Sequence, residues 1–172
     1  MLRLMPCRPP LLLALLTSIL LLAMISACSF HAGVTPLHTT QPPLFLTQAN
    51  HTINHRGRPC TQDLCLADWP EVADLEHLAV WDCKAYAIAK ADWLIRRHGY
   101  DPARLEYVLV EGPPLRVAHV ALLVDGLWVM DSGLRCQVCT LESFRAGLRL
   151  SGRLPVTDLP CLRRVLRAAQ PR

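Results

Sequence analysis

The segment between Asp82 and Asp131 constrains the fold more than any other part of the chain, because one helix signal is followed there by three β-like runs. Asp82 is a residue type that caps helices, and an alanine-rich stretch with one apolar stripe follows it. His98-Gly99 is a typical helix stop. We therefore predict a helix over Cys83–Arg97.

Three runs of β-forming residues follow this helix. The second run is almost continuously apolar, as expected of a strand that is covered on both faces. Asp125-Gly126, between the second and third runs, is a strong hairpin signal. A helix followed by an antiparallel meander predicts an α+β fold. The predicted strands are Leu105–Glu111, Leu115–Val124 and Leu127–Asp131, and two further helices are predicted, one from Thr140 to about Leu148 and one over Asp158–Ala169.

Three residues in this layout have the side chains of a cysteine acyl-transfer site. Cys83 lies at the start of the helix, where unpaired backbone N–H groups and the helix dipole favour a thiolate. His119 lies in an apolar strand, where an unpaired imidazole is costly to bury, and Asp131 ends the partner strand. A nucleophile, a base and an orienting carboxylate are thus present. Each also has a structural interpretation, as a buried thiol, a core or surface histidine and a turn-forming aspartate.

The hairpin sets a geometric condition for this site. Side chains directly opposite each other across an antiparallel pair share a face of the sheet. His119 and Asp131 lie opposite each other if Leu123 pairs with Leu127. That pairing leaves Val124–Gly126 as a three-residue loop with glycine in the left-handed position, whereas a two-residue Asp-Gly turn would separate the faces. We predict the three-residue loop, or a bulge with the same effect.

The first 27 residues have the parts of a secretory signal peptide. Two arginines precede an apolar run over Leu11–Ala27, and small residues close that run. Ile25-Ser26-Ala27-Cys28 resembles a bacterial lipobox, which implies that Cys28 is lipidated and becomes the mature N-terminus. Ser29 then favours the outer membrane, by resemblance to sorting signals of Gram-negative bacteria. A plain signal peptide and a transmembrane anchor are the alternatives.

The remainder divides into a tether and one domain. Residues 28–45 contain three prolines and no hydrophobic period, which is typical of a linker. Residues 46–172 are long enough for a domain with its own core. The formal net charge of the chain is only +4, which predicts no nucleic-acid partner. We expect a protein of the bacterial cell envelope that is held by its lipid and faces the periplasm. Its oligomeric state stays open.

The residues around the cysteine resemble a known family. Residues 81–90 read Trp-Asp-Cys-Lys-Ala-Tyr-Ala-Ile-Ala-Lys. The bacterial transglutaminase-like cysteine peptidases carry the similar signature Gly-Asp-Cys-Glu-Asp-Tyr-Ala-Ile-Ala-Lys. The strands that hold the histidine and the aspartate follow in the order of that family, and the resemblance covers roughly residues 50–135. It implies a papain-like fold and a catalytic triad of Cys83, His119 and Asp131.

The resemblance also implies a mechanism. Cys83 attacks a carbonyl as the thiolate, His119 moves the proton, and Asp131 orients the imidazole. The backbone N–H of Cys83 is one oxyanion donor, and the candidates for a second are Trp69, Gln62 and Asn50. The expected reaction is hydrolysis of peptide bonds in periplasmic or surface proteins. The alternatives are acyl transfer of the transglutaminase or amidase type, and a lipoprotein of the same fold that binds without cleaving.

Three positions depart from the family signature. Lys84-Ala85 replaces its acidic pair, and Trp81 replaces its first glycine. The resemblance implies that some family members bind calcium through acidic residues of this region. Calcium requires several hard oxygen ligands. Asp74 and Asp82 alone are few, and the Lys84 ammonium repels a cation. We therefore expect no cofactor, and a calcium dependence is doubtful on this reasoning.

The other cysteines of the domain indicate an oxidising compartment. Disulfides are the leading interpretation in an exported protein, although an odd number leaves one cysteine over and the pairing is open. Two alternatives stay open. In the first, four of these cysteines form a zinc site, since their spacing fits one. In the second, Cys83 itself belongs to a disulfide, which would abolish its nucleophilicity. The five cysteines besides Cys28 and Cys83 are Cys60, Cys65, Cys136, Cys139 and Cys161.

Overall fold

A computed structural model describes residues 41–60, 68–115, 117–133 and 136–169, with the side chains of 165–169 left aside. Four helices and five strands form this part of the chain. The helices are α1 (Leu44–Asn54), α2 (Cys83–His98), α3 (Leu141–Arg145) and α4 (Leu159–Ala169). The strands are β1 (Leu105–Glu111), β2 (His119–Val124), β3 (Trp128–Met130), β4 (Val138–Thr140) and β5 (Arg149–Pro155). Short 3₁₀ turns lie at Val72–His77, Pro102–Arg104 and Val156–Asp158.

One antiparallel sheet organises these elements, with the strands in the order β4-β3-β2-β1-β5. Helix α2 packs on one face, against a core that includes Tyr107, Leu122 and Met130. The other face carries a second cluster around Phe144 of α3. The central strand β2 is therefore buried on both sides, as its continuous apolar sequence predicts. The α+β prediction is confirmed.

Helix α2 confirms the strongest local prediction. The Asp82 carboxylate caps it by accepting a hydrogen bond from the Ala85 N–H at 3.0 Å. Gly99 ends it at φ 60°, a left-handed conformation that glycine adopts without a Cβ clash. Two more predicted helices also form: Thr140 caps α3 through the Ser143 N–H, and α4 begins one residue after Asp158.

Several boundaries differ from the predictions. Strand β2 begins at His119 rather than Leu115, because the chain turns at Gly112–Leu115 and leaves Val117 78% exposed. Leu44 and Phe45, assigned to the tether, are the first residues of α1. The sequence analysis did not predict α1, β4 or β5. The described helices include none long and apolar enough to cross a membrane. The predicted signal, the lipidated Cys28 and most of the tether lie outside the described residues.

Candidate active site

Cys83 occupies the first position of α2. Its cap, Asp82, is almost fully buried, so the helix start is fixed by a side-chain and a backbone hydrogen bond from the next turn. The Cys83 side chain is half-buried and its thiol is free. The alternative in which Cys83 belongs to a disulfide is therefore wrong. A sulfur at a helix N-terminus faces unpaired backbone N–H groups and the positive end of the dipole, which stabilise an anion.

His119 and Asp131 are directly hydrogen-bonded. The ring Nε2–H donates to Asp131 Oδ1 at 2.7 Å. The side chain of Asp131 is fully buried, and its other oxygen accepts the Gly133 N–H at 3.2 Å. Because both carboxylate oxygens have donors, Asp131 can stay ionised without bulk water. The buried Asp131 carboxylate accepts from the His119 ring and thereby fixes the orientation of the imidazole.

The His119 ring also interacts with Cys83. Burial by itself disfavours the protonated ring. Hydrogen bonds with Asp131 and Cys83, and the charges of both partners, outweigh burial and raise the pKa of His119 to about 9. Hydrogen bonding and opposite charge thus favour the protonated form of the His119 ring. The structure thus brings together all three residues that the sequence analysis selected.

The hairpin that carries this pair differs from the predicted register. Its loop has the predicted three residues, but they are Asp125–Leu127, since Val124 pairs with Trp128. Asp125 and Gly126 both have positive φ. Asp131 is consequently not opposite His119 but lies two positions along the same face, and the 2.7 Å contact is diagonal. His119 and Asp131 still share a face of the sheet, because each residue's partner in β3 moved by two positions, which is an even number.

Two asparagines of α1 support the segment that follows β3. Asn54 Nδ2–H donates to the Asp131 carbonyl at 3.0 Å, and Asn50 Nδ2–H donates to the Gln137 carbonyl at 2.9 Å. Asn50 was a candidate oxyanion donor, and its amide is instead used in this contact. The sequence holds one weak sign of this role, which is that Asn50 lies on the buried face of α1 among Leu46, Ala49 and Ile53. No local pattern connects α1 to Asp131.

The remaining oxyanion candidates have different placements. The Trp69 ring packs against Tyr107 of β1, with ring centroids 5.2 Å apart. Gln62 lies outside the described residues. Trp69 as a second oxyanion donor stays a prediction. A cavity of about 680 Å³ lies on another part of α2, where Arg56, Trp81 and Trp93 are among its lining residues and Cys83 is not. The three-residue cluster is therefore not part of that cavity.

Lys90 is a fourth ionisable group in this part of the core. Its side chain is 1% exposed, and Nζ lies 5.9 Å from the centroid of the Tyr86 ring on the preceding turn of α2. Burial lowers the pKa of Lys90 to about 7, although the Asp131 carboxylate acts in the opposite direction. The sequence analysis assigned no role to this lysine, because a charged residue on a helix is usually solvated.

The described cysteines other than Cys83 are oxidised. Cys136 and Cys139 form a disulfide with each other. Cys60 and Cys161 are each disulfide-bonded as well. The zinc alternative is therefore wrong, because disulfide sulfurs do not supply the thiolates that zinc requires. Cys65 lies outside the described residues.

Comparison with known proteins identifies the fold. No family model matches the sequence, and no curated protein matches it significantly. Among solved structures, the chain is similar to calcium-bound LapG of Legionella pneumophila, with a TM-score of 0.53 and 19% identity. The match covers 69% of this chain and 72% of LapG. At this identity the likeness establishes the fold, which is papain-like/transglutaminase-like.

The same comparison corrects the expectation of no cofactor. LapG was solved with calcium bound, so calcium binding occurs in this fold and the argument from Lys84-Ala85 against it is wrong. That argument weighed side-chain charge at two positions, whereas calcium also takes backbone carbonyls and ligands distant in sequence. Asp82 contacts Lys84 Nζ at 2.6 Å, and Asp74 accepts the Glu71 N–H. Within the described ranges no three His, Cys, Asp or Glu side chains cluster as metal ligands, so no catalytic step is assigned to calcium.

Proposed function

We propose that the chain is a cysteine peptidase in which Cys83, His119 and Asp131 form the catalytic triad. The observation that carries this proposal is the position of the His119 ring, which is hydrogen-bonded to Asp131 and interacts electrostatically with Cys83. A histidine placed between a free thiol and a buried carboxylate is the arrangement that nucleophilic acyl transfer requires. LapG is itself a transglutaminase-like cysteine protease, which supports the same class of reaction at the level of the fold.

The geometry supports one assignment of protons. Asp131 engages Nε2 of His119, so Nδ1 is the ring nitrogen left to exchange a proton with Cys83. The thiolate attacks the peptide carbonyl carbon and forms a C–S bond, while the backbone N–H of Cys83 stabilises the oxyanion. The C–N bond then breaks as Nδ1–H protonates the leaving amine. Water, deprotonated by His119, hydrolyses the thioester and regenerates the thiol. Throughout, Asp131 holds the ring and stabilises its positive charge.

We also propose that the protein acts in the cell envelope, anchored through lipid on Cys28 after removal of residues 1–27. The disulfides of the described domain support an exported protein. Proteins of the periplasm or the cell surface are then the substrates. Expression of the full chain in a Gram-negative host tests the anchor: the wild type should fractionate with the outer membrane, and Cys28→Ala should be released. Release of both forms would contradict the anchor.

The test of the peptidase uses the full chain and fluorescein-labelled casein in calcium-containing buffer. Cys83→Ser, His119→Gln and Asp131→Asn should each lower cleavage by about 10³-fold or more. His77→Gln is the matched control, because His77 is an exposed histidine outside the site, and it should cleave like the wild type. A dansylated primary amine in the same assay distinguishes acyl transfer, which would label casein instead of cutting it. Cleavage by Cys83→Ser at the wild-type rate would overturn the proposal.

Alkylation of Cys83 by iodoacetamide tests the nucleophile without any assumption about substrate. At pH 6 an ordinary thiol is almost entirely protonated and reacts slowly. A thiolate stabilised by imidazolium should react about tenfold faster in the wild type than in His119→Gln, as measured by mass spectrometry of the Cys83 peptide. Equal rates in the two proteins would favour a binding protein of this fold.

A further inference from the structure

Asp131 lies just beyond the regular part of the sheet. Strand β3 ends at Met130, which pairs with Val138, so the ladder no longer fixes the next residue. The Asp131 N–H donates to the Gln137 carbonyl at 2.9 Å. The position of the carboxylate therefore depends on the contacts of the Asp131 backbone itself.

Helix α1 supplies the other contacts to this segment. Asn54 donates to the Asp131 carbonyl and Asn50 to the Gln137 carbonyl, so the Gln137 oxygen accepts from both Asn50 and Asp131. The two asparagines are four residues apart, which places them on one face of α1. They are 77 and 87 residues from their partners in sequence. The backbone of Asp131 is thus hydrogen-bonded through both its N–H and its carbonyl.

The asparagines are unusual for a face that only packs. Asn50 is fully buried, and within the described residues the Oδ1 atoms of both asparagines are buried without a hydrogen-bond donor. Burying an unpaired acceptor is unfavourable, and an apolar side chain such as leucine avoids it. What an asparagine has here and a leucine lacks is the amide N–H donor. Both donors bind backbone carbonyls in the segment that holds Asp131.

We infer that Asn54 and Asn50 are positioning residues, which hold the Asp131 backbone so that its carboxylate meets the His119 ring. This inference rests on the proposed triad. It makes α1, which lies about 30 residues before the nucleophile, a part of the catalytic apparatus. The 2.7 Å hydrogen bond joins a side chain of β2 to one that follows β3. It is sensitive to a shift of about 1 Å in either residue, so loss of the backbone anchor should weaken it.

The test compares Asn54→Leu with Gln48→Leu in the full chain. Both remove an amide from α1 at similar volume, but Gln48 is exposed and has no part in the site. Asn54→Leu should lower the pKa of His119 from about 9 toward 6.5, as followed by NMR titration of labelled histidine. Iodoacetamide alkylation of Cys83 at pH 6 should slow by about tenfold. Gln48→Leu should change neither.

Casein cleavage gives a third measurement, which separates positioning from general structural damage. Asn54→Leu should lower kcat by about 10- to 100-fold and change KM by less than about twofold, because a displaced Asp131 carboxylate impairs the orientation of His119 rather than the binding of substrate. Asn54→Ser shortens the side chain but keeps it polar, and it serves as the second variant if Asn54→Leu does not fold. A folded Asn54 variant with the wild-type His119 titration and Cys83 alkylation would overturn the inference.

These results also separate this inference from the peptidase proposal. The histidine titration and the alkylation need no substrate, so they test positioning even if casein is not cut. Conversely, a wild type that cleaves casein and an Asn54→Leu variant that cleaves it equally would leave the peptidase standing and remove the role of α1.

Discussion

His119 at the start of β2 and Lys90 in the middle of α2 are a largely buried and a fully buried cationic side chain near the same carboxylate, yet their pKa values shift in opposite directions. Burial disfavours the charge on both. His119 donates a 2.7 Å hydrogen bond to Asp131 and also interacts with the charge of Cys83, and its pKa rises to about 9. Lys90 feels Asp131 only through space, and its pKa falls to about 7. Direct contact, rather than proximity, keeps a buried cation charged.

The largest effect is expected when the carboxylate that both side chains share is removed. In Asp131→Asn, His119 loses its strongest opposing interaction to burial, so its pKa should fall and the thiolate–imidazolium pair should be lost. We expect kcat for casein to fall by about 10⁴-fold. Asp125→Asn is the matched control, since Asp125 lies in the loop of the same hairpin and bonds Tyr100 and Arg104 instead. Similar kcat values for the two variants would show that the contact with Asp131 is not what keeps His119 competent.

The second test uses the pH dependence of stability at His119. Its folded pKa of about 9 lies above its unfolded value of 6.5, so its stabilising contribution is complete below pH 6.5 and is lost as pH rises through 9. The difference in unfolding free energy between the wild type and His119→Gln should therefore shrink by about 3 kcal/mol over that range. Urea titrations at pH 6, 7.5 and 9.5 measure it, and a constant difference would contradict the raised pKa.

The smallest effect is expected at Lys90, with the opposite sign. Its folded pKa of about 7 lies below its unfolded value of 10.5, so burial of the ammonium destabilises the fold in full below pH 7. Lys90→Met should raise the unfolding free energy at pH 6 by about 2 kcal/mol, and the gain should disappear as pH rises toward 10.5. Lys84→Met is the control on the same helix, because Lys84 is partly exposed and contacts Asp82. A loss of stability in Lys90→Met at pH 6 would show that the ammonium is well compensated.

The elements that the sequence predicts correctly are those with local signals. Helix α2 and strand β1 were predicted because their signals are local: the Asp82 cap, the Gly99 stop and a β-rich run of seven residues. The candidates Cys83, His119 and Asp131 followed from their places at the start of the predicted helix and in the second and third predicted strands. The distance between His119 and Asp131 did not, because it depends on a loop whose position shifted by one residue.

The parts that were missed depend on contacts distant in sequence. Strand β5 alternates between exposed and half-exposed residues and contains Gly152, so only its pairing with β1 makes it a strand. Helix α1 follows Pro43 and has no side-chain cap, so it lacks a start signal. Its role became visible only through hydrogen bonds that cross 77 residues or more. Pairings of this kind are set by the tertiary fold, which a single sequence read locally does not contain.

An NMR pH titration of His119 in the wild type and in Cys83→Ser tests directly whether the three residues act as one site. His119 should titrate near pH 9 in the wild type, and its pKa should fall in Cys83→Ser because the interaction with the sulfur is lost. An unperturbed titration near pH 6.5 in both proteins would contradict it. Such a result would mean that thiol, imidazole and carboxylate lie close together without acting as one site.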